Sequence, residues 1–511
     1  MKAMKKVTSL ILTFMMVFSL SLSMSATSAF AATHTYQIYQ ILKGTVDPSD
    51  STKLTNIAAG ANLKLGTNET INNVMDALTA PDMANKTNQE KLTVILPYVD
   101  MTAPYTTSTS TTVNGLEIGY YLVKDADGSL ADANDAYTTY LVKVVTGTLT
   151  ITPKKAIPTV DKQVQDESAD AEEGASTDGW GESADHAINE QFQFKLVASL
   201  PDDPDLNDYN TYKLVFTDTM SAGVTFDSIA SVKAGNKDIT DYVLSENAVL
   251  GAAGITFTLT INDLKQYVNA LPGAQVTVIY NAHLNENAIV NTKADVTEQE
   301  ENQNKVKLDF SNNPNYKGDG ANSPTGSTEY DWVFVLTYEV DNTKYDASTS
   351  QRVELANVGF RLYQADDTTE ILVYKGDDGA YYPVGTSGRA AEEMFSAADG
   401  TFNIKGLDAG SYVLKETTVL PGFTAIEPLN IVIAADHKEN SNTTSVDLTF
   451  KKDSNNNDVS QNMNNDIENK KGSTLPSTGG MGTTIFYVVG TILVLAAAVL
   501  LITKKRMHAD K

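Results

Sequence analysis

The chain has no cysteine in 511 residues. Disulfides and thiolate nucleophiles are therefore excluded, and any covalent staple must come from other side chains. Histidine is nearly as scarce. His34, His186, His283, His437 and His508 are the full set, and none lies in a spacing that suits a metal site or a catalytic triad. No enzyme activity, metal or cofactor is expected from this inventory. Positive charge is also short: 38 Lys and Arg face 64 Asp and Glu, for a formal net charge of −26. A chain of that sign has no electrostatic reason to bind nucleic acid.

What is present is globular in balance, with 41% hydrophobic and 20% charged residues. The length exceeds one ordinary core and predicts two to four domains. The N-terminus carries Lys2, Lys5 and Lys6, an apolar run Val7–Leu22 and small residues ending Ala29-Phe30-Ala31. This predicts a secretory signal peptide over 1–31. At the other end, Leu475-Pro476-Ser477-Thr478-Gly479 precedes an apolar stretch from Thr484 to Thr503, closed by Lys504, Lys505 and Arg506. The stretch has the length of a transmembrane helix, and its basic end belongs on the cytoplasmic side. Pro476 holds the backbone before it extended, and Gly479 lets the bond after Thr478 be approached closely. Pentapeptide, span and basic stop together resemble the cell-wall sorting signal read by sortases. The resemblance implies that a sortase cysteine attacks the Thr478 carbonyl, Gly479 leaves, and an amine resolves the thioester. The membrane contact is then transient, and the end state is a peptidoglycan-anchored surface protein. Each removed end carries a net charge of +3, so the body left behind is at −32, a self-repelling surface.

Between the ends the texture is β nearly everywhere. Leu92–Leu96, Thr138–Val145, Lys213–Phe216, Ile255–Ile261, Val276–Tyr280, Trp332–Tyr338 and Phe360–Tyr363 read as strands separated by Gly, Asn and Asp turns. One helix is predicted at Thr70–Leu78, where Ile71, Val74, Met75 and Leu78 share a face. The fold class expected is all-β, with tandem immunoglobulin-like sandwiches in a row. Two prolines in 152–158, and the polar, turn-rich stretch 312–326, divide the body into 32–154, 155–326 and 327–472, with the sorting signal over 473–511. A weak repeat, Gly119-Tyr120-Tyr121-Leu122-Val123-Lys124-Asp125 against Gly410-Ser411-Tyr412-Val413-Leu414-Lys415-Glu416, relates the first and third domains.

Several segments resemble the major backbone pilins of Gram-positive bacteria: His34-Thr35-Tyr36-Gln37-Ile38-Tyr39-Gln40-Ile41, Pro158-Thr159-Val160-Asp161-Lys162-Gln163-Val164, Phe216-Thr217-Asp218-Thr219-Met220 and Leu308-Asp309-Phe310-Ser311-Asn312-Asn313-Pro314. The last domain, with YVLKETTVLPG over 412–422, resembles a Cna protein B-type domain. The resemblance implies a pilus shaft subunit whose sandwiches carry Lys–Asn isopeptide bonds. A lysine attacks only when neutral, and burial lowers its pKa. A buried carboxylic acid stays protonated for the same reason, and folding supplies the effective concentration. Carried onto this chain, the middle domain offers Lys162, Asp218 as the acid, and Asn304, with Asn302, Asn312 and Asn313 close by. The last domain offers Lys344, Glu416 as the acid, and Asn469. The first strand of the first domain has no lysine before Lys43, so no bond is expected there and Asp125 reads as a surface acid.

Polymerisation needs a further amine. In backbone pilins it follows Pro at the end of the first domain, which here implies Lys154 in Thr152-Pro153-Lys154, with Lys155 as a rival. The implied partners are the sortase, other copies of the chain in a head-to-tail polymer, minor pilins and peptidoglycan. The alternative is a single-copy wall-anchored adhesin with similar sandwiches as a stalk. Asp203, Asp205, Asn207 and Asp208 read as a solvated acidic loop, since the mid-loop Gly and closing Glu of a calcium loop are missing.

Overall fold

A computed structural model describes residues 34–86, 88–130, 134–154, 156–166, 179–290, 302–348, 350–434, 449–452, 458–460, 464–471 and 488–499. The signal segment, the pentapeptide 475–479 and Lys155 lie outside the described residues. Residues 488–499 are helical, and no described helix is long and apolar enough to cross a membrane.

The first domain is built on a five-stranded sheet with small cores on both faces, and a two-stranded sheet, Thr112–Asn114 with Thr148–Thr150, packs on one of them. Strand Tyr36–Asp47 is central. It pairs with Gly119–Asp125 on one side and with Thr106–Ser108 and then Asp50–Ala59 on the other, and Thr139–Val144 follows beyond Gly119–Asp125. Alternation along the central strand sends Tyr36 and Ile38 to one core, and Tyr39 and Ile41 to the other. Two helices, Ile71–Thr79 and Asn88–Ile95, cover the second core rather than a second large sheet. The first helix agrees with the sequence. The second replaces the strand expected at Leu92–Leu96. Leu92, Ile95 and Val99 are buried while Thr93 and Leu96 are exposed, which is a helical spacing. The run Thr93-Val94-Ile95 looked like a strand because β-branched residues favour strands. Packing of one face overrode that preference, and a 3-10 turn at Leu96–Tyr98, carrying Pro97, follows.

The middle domain is a sandwich of two seven-stranded sheets. One holds Leu214–Met220 between Asn302–Ser311 and Thr256–Ile261. The other holds Gln275–Leu284 between Gln191–Ser199 and Val224–Ala234, with Thr159–Gln165 beyond. Gln191–Ser199, Leu214–Met220, Gln275–Leu284 and Asn302–Ser311 alternate buried and half-buried positions almost without interruption. Phe194, Phe216, Phe226, Phe257 and Tyr280 fill the space between the sheets. The last domain repeats the plan. Tyr338–Asp346 lies between Ile404–Leu407 and Asn464–Lys471, facing a sheet built on Gly359–Gln364, Gly410–Thr418 and Leu429–Ala434.

One boundary differs from the expectation. The run Trp332–Tyr338 is two strands. Asp331–Leu336 pairs with Asn302–Ser311 and Ser183–Asp185 of the middle domain, and Tyr338–Asp346 opens the last domain. The division therefore falls at Thr337 rather than after residue 326. The polar stretch from Asn312 is not a linker either. Asn312 and Asn313 are buried and bind the first domain, through Leu130 O at 2.5 Å and Asp127 at 3.3 Å, and Asn315 reaches the Tyr137 hydroxyl. Its polarity served an interface, where amides are satisfied by partners across the gap.

The middle and last domains meet closely at Ile188 and Asn189. Ile188 donates its N–H to Gly406 O, and Asn189 Nδ2 reaches Pro383 O and the Tyr374 hydroxyl. Gly406 has φ of +78°, and a Cβ there would stand 2.6 Å from the Ile188 side chain. Gly406→Ala is expected to lower stability by about 1–3 kcal/mol through backbone strain and overpacking. Thermal melting of the variant, with limited proteolysis locating the loosened junction, checks this; an unchanged melt contradicts it.

Candidate functional site

Lys162 occupies a core position by simple alternation. In Thr159–Gln165 it shares the inward face with Val164, and only 1% of its surface is exposed. Its ammonium is paired with the Asp218 carboxylate of the opposite sheet. Asn304 lies across the strand pair from Met220, so Asp218 and Asn304 are diagonal neighbours on one face. The three predicted residues are thus brought together, all fully buried, and Asn304 rather than Asn302, Asn312 or Asn313 is the amide that points here. Desolvation pushes the Lys162 pKa down and the Asp218 pKa up, against the attraction between the pair. Both shifts favour the neutral amine and the protonated acid. Phe194 and Tyr280 hold the nitrogen between their rings, at 5.0 and 5.3 Å from the centroids.

One member of the cluster was not anticipated. The Tyr280 hydroxyl accepts from Lys162 Nζ at 3.0 Å and from Asn304 Nδ2 at 2.6 Å, and donates to Asp218 Oδ1 at 3.1 Å. Asn304 Oδ1 is buried without a partner among the described residues. In sequence, Tyr280 is one aromatic in a strand of alternating apolar residues, and nothing distinguished it from core.

The last domain assembles its trio differently. Tyr338–Asp346 and Asn464–Lys471 are adjacent parallel strands, with Lys344 opposite Ile467 and Asp346 opposite Asn469. Lys344 and Asn469 therefore lean toward each other on the inward face. Glu416, from the facing sheet, bridges them directly: Oε2 lies 3.1 Å from Lys344 Nζ, and Oε1 accepts from Asn469 Nδ2 at 3.2 Å. The lysine also reaches Glu468 O at 3.2 Å and lies 5.7 Å from the Phe360 ring centroid. Burial pushes its pKa down. The polar flank Asp341-Asn342-Thr343 is compatible with this depth, because Asn342 accepts from Asn465 and donates to Phe402 O.

The repeat at 119–125 and 410–416 is a repeat of structure. Tyr121 donates to Glu117 O at 2.6 Å and Tyr412 to Asp408 O at 2.8 Å, each four residues upstream. Asp125 thus sits where Glu416 sits. It is not a surface acid: it is fully buried, accepts the Thr138 N–H, and pairs at 3.0 Å with His34, whose other nitrogen lies 2.9 Å from Asp135. An imidazole stands where the other domains place an amine. Lys43 is exposed.

Lys154 lies at the first boundary and is only partly open, with 27% of its side chain exposed. It pairs with Asp205, and Asp203 and Asp208 are near. The acidic loop is therefore a contact surface for Lys154 rather than purely solvated. Burial pushes the Lys154 pKa down and the Asp208 carboxyl up to about 6. Among the described residues no group of His, Asp or Glu could hold a metal ion.

Three family models match parts of the chain. Residues 198–314 match the Gram-positive pilin backbone subunit 2, Cna-B-like domain. Residues 339–452 match the SpaA prealbumin-like fold domain, and residues 467–508 match the LPXTG cell wall anchor motif. No curated protein matches the chain by sequence. Among solved structures, the T6 backbone pilin of serotype M6 Streptococcus pyogenes is similar at 16% identity and a TM-score of 0.48, covering 86% of this chain and 97% of that one. The major pilin SpaD of Corynebacterium diphtheriae is similar at 17% and 0.44, covering 86% and 93%. BcpA, the major pilin subunit of Bacillus cereus, is similar at 18% and 0.38, covering 70% and 87%. The assignment rests on the family models rather than on these likenesses. Tandem Cna-B-type and prealbumin-like domains ahead of an anchor motif define a Gram-positive surface protein attached to the cell wall. The chain is a backbone pilin, the sortase-assembled shaft subunit of a pilus, and its family is structural rather than enzymatic.

Asp125→Ala removes the acceptor of both His34 and the Thr138 N–H. The expected loss is about 1–3 kcal/mol, confined to the first domain. Denaturant unfolding with fragment mapping checks it, and unaltered resistance of residues 34–154 contradicts it.

Proposed function

We propose that this shaft subunit staples its middle domain through Lys162 and Asn304 and its last domain through Lys344 and Asn469, and that copies join from Thr478 to Lys154. The observation that carries the staples is the same in both domains: a fully buried lysine, a carboxyl and an asparagine share one buried cluster. Such a cluster is costly as a set of charges. It becomes favourable once the lysine gives up its proton and forms an amide, because the product carries no charge. Asp218 and Glu416 take that proton. The lysine nitrogen then attacks the asparagine carbonyl carbon, and ammonia leaves. The reaction happens once per domain and needs no outside catalyst.

For the junction, burial favours the free amine of Lys154, and Asp205 is placed to accept its proton. The pair must open for a second copy's thioester to reach the nitrogen, so the cleft between the first two domains is the docking point for a neighbour's tail. A bond from Thr478 to Lys154 is heterologous, and repetition gives a filament rather than a closed ring. On the family resemblance, minor pilins share the same fibre.

Intact mass of residues 32–472 should fall short of the sequence mass by two ammonia molecules. Asp218→Ala and Glu416→Ala should each restore one; no deficit in the parent chain removes both staples. The closed loops span 142 residues (162 to 304) and 125 residues (344 to 469). The chain-entropy model gives about 5 kcal/mol for each. Lys162→Ala and Lys344→Ala should therefore melt lower and be cut faster by protease.

Lys154→Ala, in cells expressing the cognate sortase, should abolish the high-mass ladder in wall extracts and leave wall-bound monomer. A ladder that persists in Lys154→Ala and disappears in Lys155→Ala moves the junction by one residue. A parent chain with no ladder favours the single-copy adhesin.

A further inference from the structure

The two clusters differ in one respect that bears on chemistry. In the last domain, Glu416 touches both the amine and the amide. In the middle domain, the Tyr280 oxygen lies between the attacking nitrogen, at 3.0 Å, and the leaving nitrogen, at 2.6 Å, and it also contacts Asp218. We propose that Tyr280 is a catalytic residue of the middle-domain staple, carrying a proton from Lys162 Nζ to Asn304 Nδ2 as ammonia departs. This rests on the isopeptide reading of that domain.

The steps balance without an added reagent. Asp218 takes one proton from the Lys162 ammonium. The neutral nitrogen attacks Asn304 Cγ, and the carbonyl electron pair moves to Oδ1. The adduct then holds a surplus proton on Nζ and a poor leaving group in Nδ2. As the pair on Oδ1 re-forms the carbonyl, the Cγ–Nδ2 bond breaks. Nδ2 takes the hydroxyl proton of Tyr280 and leaves as ammonia. The phenolic oxygen takes the surplus proton from Nζ. Tyr280 ends as it began, Asp218 ends protonated, and the net charge is zero throughout. A free amide nitrogen does not leave as an anion, so some group must protonate it. Asn304 Nδ2 has Tyr280 as its partner, and Asp218 touches the Tyr280 hydroxyl on its other side.

Tyr280 is also held firmly enough to act this way. It is fully buried, and its ring packs on Phe194, Phe226 and Phe257. Burial pushes its pKa well up, which keeps the hydroxyl protonated at neutral pH, so its proton passes to Nδ2 only as the phenolic oxygen takes another from Nζ. Phe in its place would keep the packing and remove the relay.

The test uses the full chain made by cell-free synthesis and sampled with time, with each cross-linked peptide followed by mass. Wild type, Tyr280→Phe and Asn304→Ala are compared. In Tyr280→Phe the Lys344–Asn469 link should form at the wild-type rate, while the Lys162–Asn304 link forms roughly 100-fold more slowly. A middle-domain link that forms as fast as in wild type overturns the proposal. Wild type without any Lys162–Asn304 link instead removes the reading on which the proposal rests. Asn304→Ala gives the circular dichroism of a folded, unlinked middle domain, against which Tyr280→Phe is compared. Should Tyr280→Phe not fold, 3-fluorotyrosine placed at position 280 preserves the shape and lowers the phenol pKa. The pH profile of middle-domain link formation should then shift to lower pH, with the last domain unmoved. A profile identical to wild type overturns the role.

Discussion

The burial of a lysine amine is the constraint on which the rest of this molecule depends. An ammonium ion is stable in water and costly in an apolar core. Each of the two larger domains nonetheless places one at full depth. The surroundings follow from that placement. A carboxyl must face the amine, aromatic rings must fill the space that water would occupy, and an amide must lie within reach. Lys162 and Lys344 meet these needs with different elements. In the middle domain the amine comes from one sheet, and the acid and amide come from the other. In the last domain the amine and amide lie on neighbouring strands, and the acid crosses from the opposite sheet. The acid thus approaches across the core in both cases, whichever strand brings the amide.

The absence of cysteine sharpens this point. A secreted chain with a body near −32 repels its own copies and has no disulfide to hold it. Any covalent cross-link must come from other side chains that folding brings together, as in the proposed Lys–Asn amides. The first domain lacks the amine and keeps the acid. There, Asp125 binds an imidazole and a backbone N–H instead, so the same architectural position serves as an ordinary buried polar network.

Much of this was legible in the sequence, and the failures have physical causes. That Lys162, Asp218 and Asn304 form one group, and Lys344, Glu416 and Asn469 another, could be read because each residue type answers a requirement of the proposed chemistry. The strands that carry them could be read because their alternation is regular. Tyr280 could not be read, because an inward aromatic on a buried strand satisfies packing on its own. Asp125 was misjudged because its partner, His34, is 91 residues distant and not an amine. Leu92–Leu96 was misjudged because β-branched composition outweighed a helical spacing of only three buried positions. The boundary at Thr337 was missed because the apolar run around it is continuous, although the two halves pair in different domains.

The parallel pairing of Tyr338–Asp346 with Asn464–Lys471 has a mechanical consequence. The chain enters the last domain at the start of the first of these strands and leaves at the end of the second. Because the strands run the same way, the entry and exit lie at opposite ends of the pair. A pull along the shaft therefore shears the whole ladder of hydrogen bonds at once and cannot peel it one bond at a time. The ladder resists as a unit, and the inward cluster of Lys344 and Asn469 lies along the very line on which that load is carried.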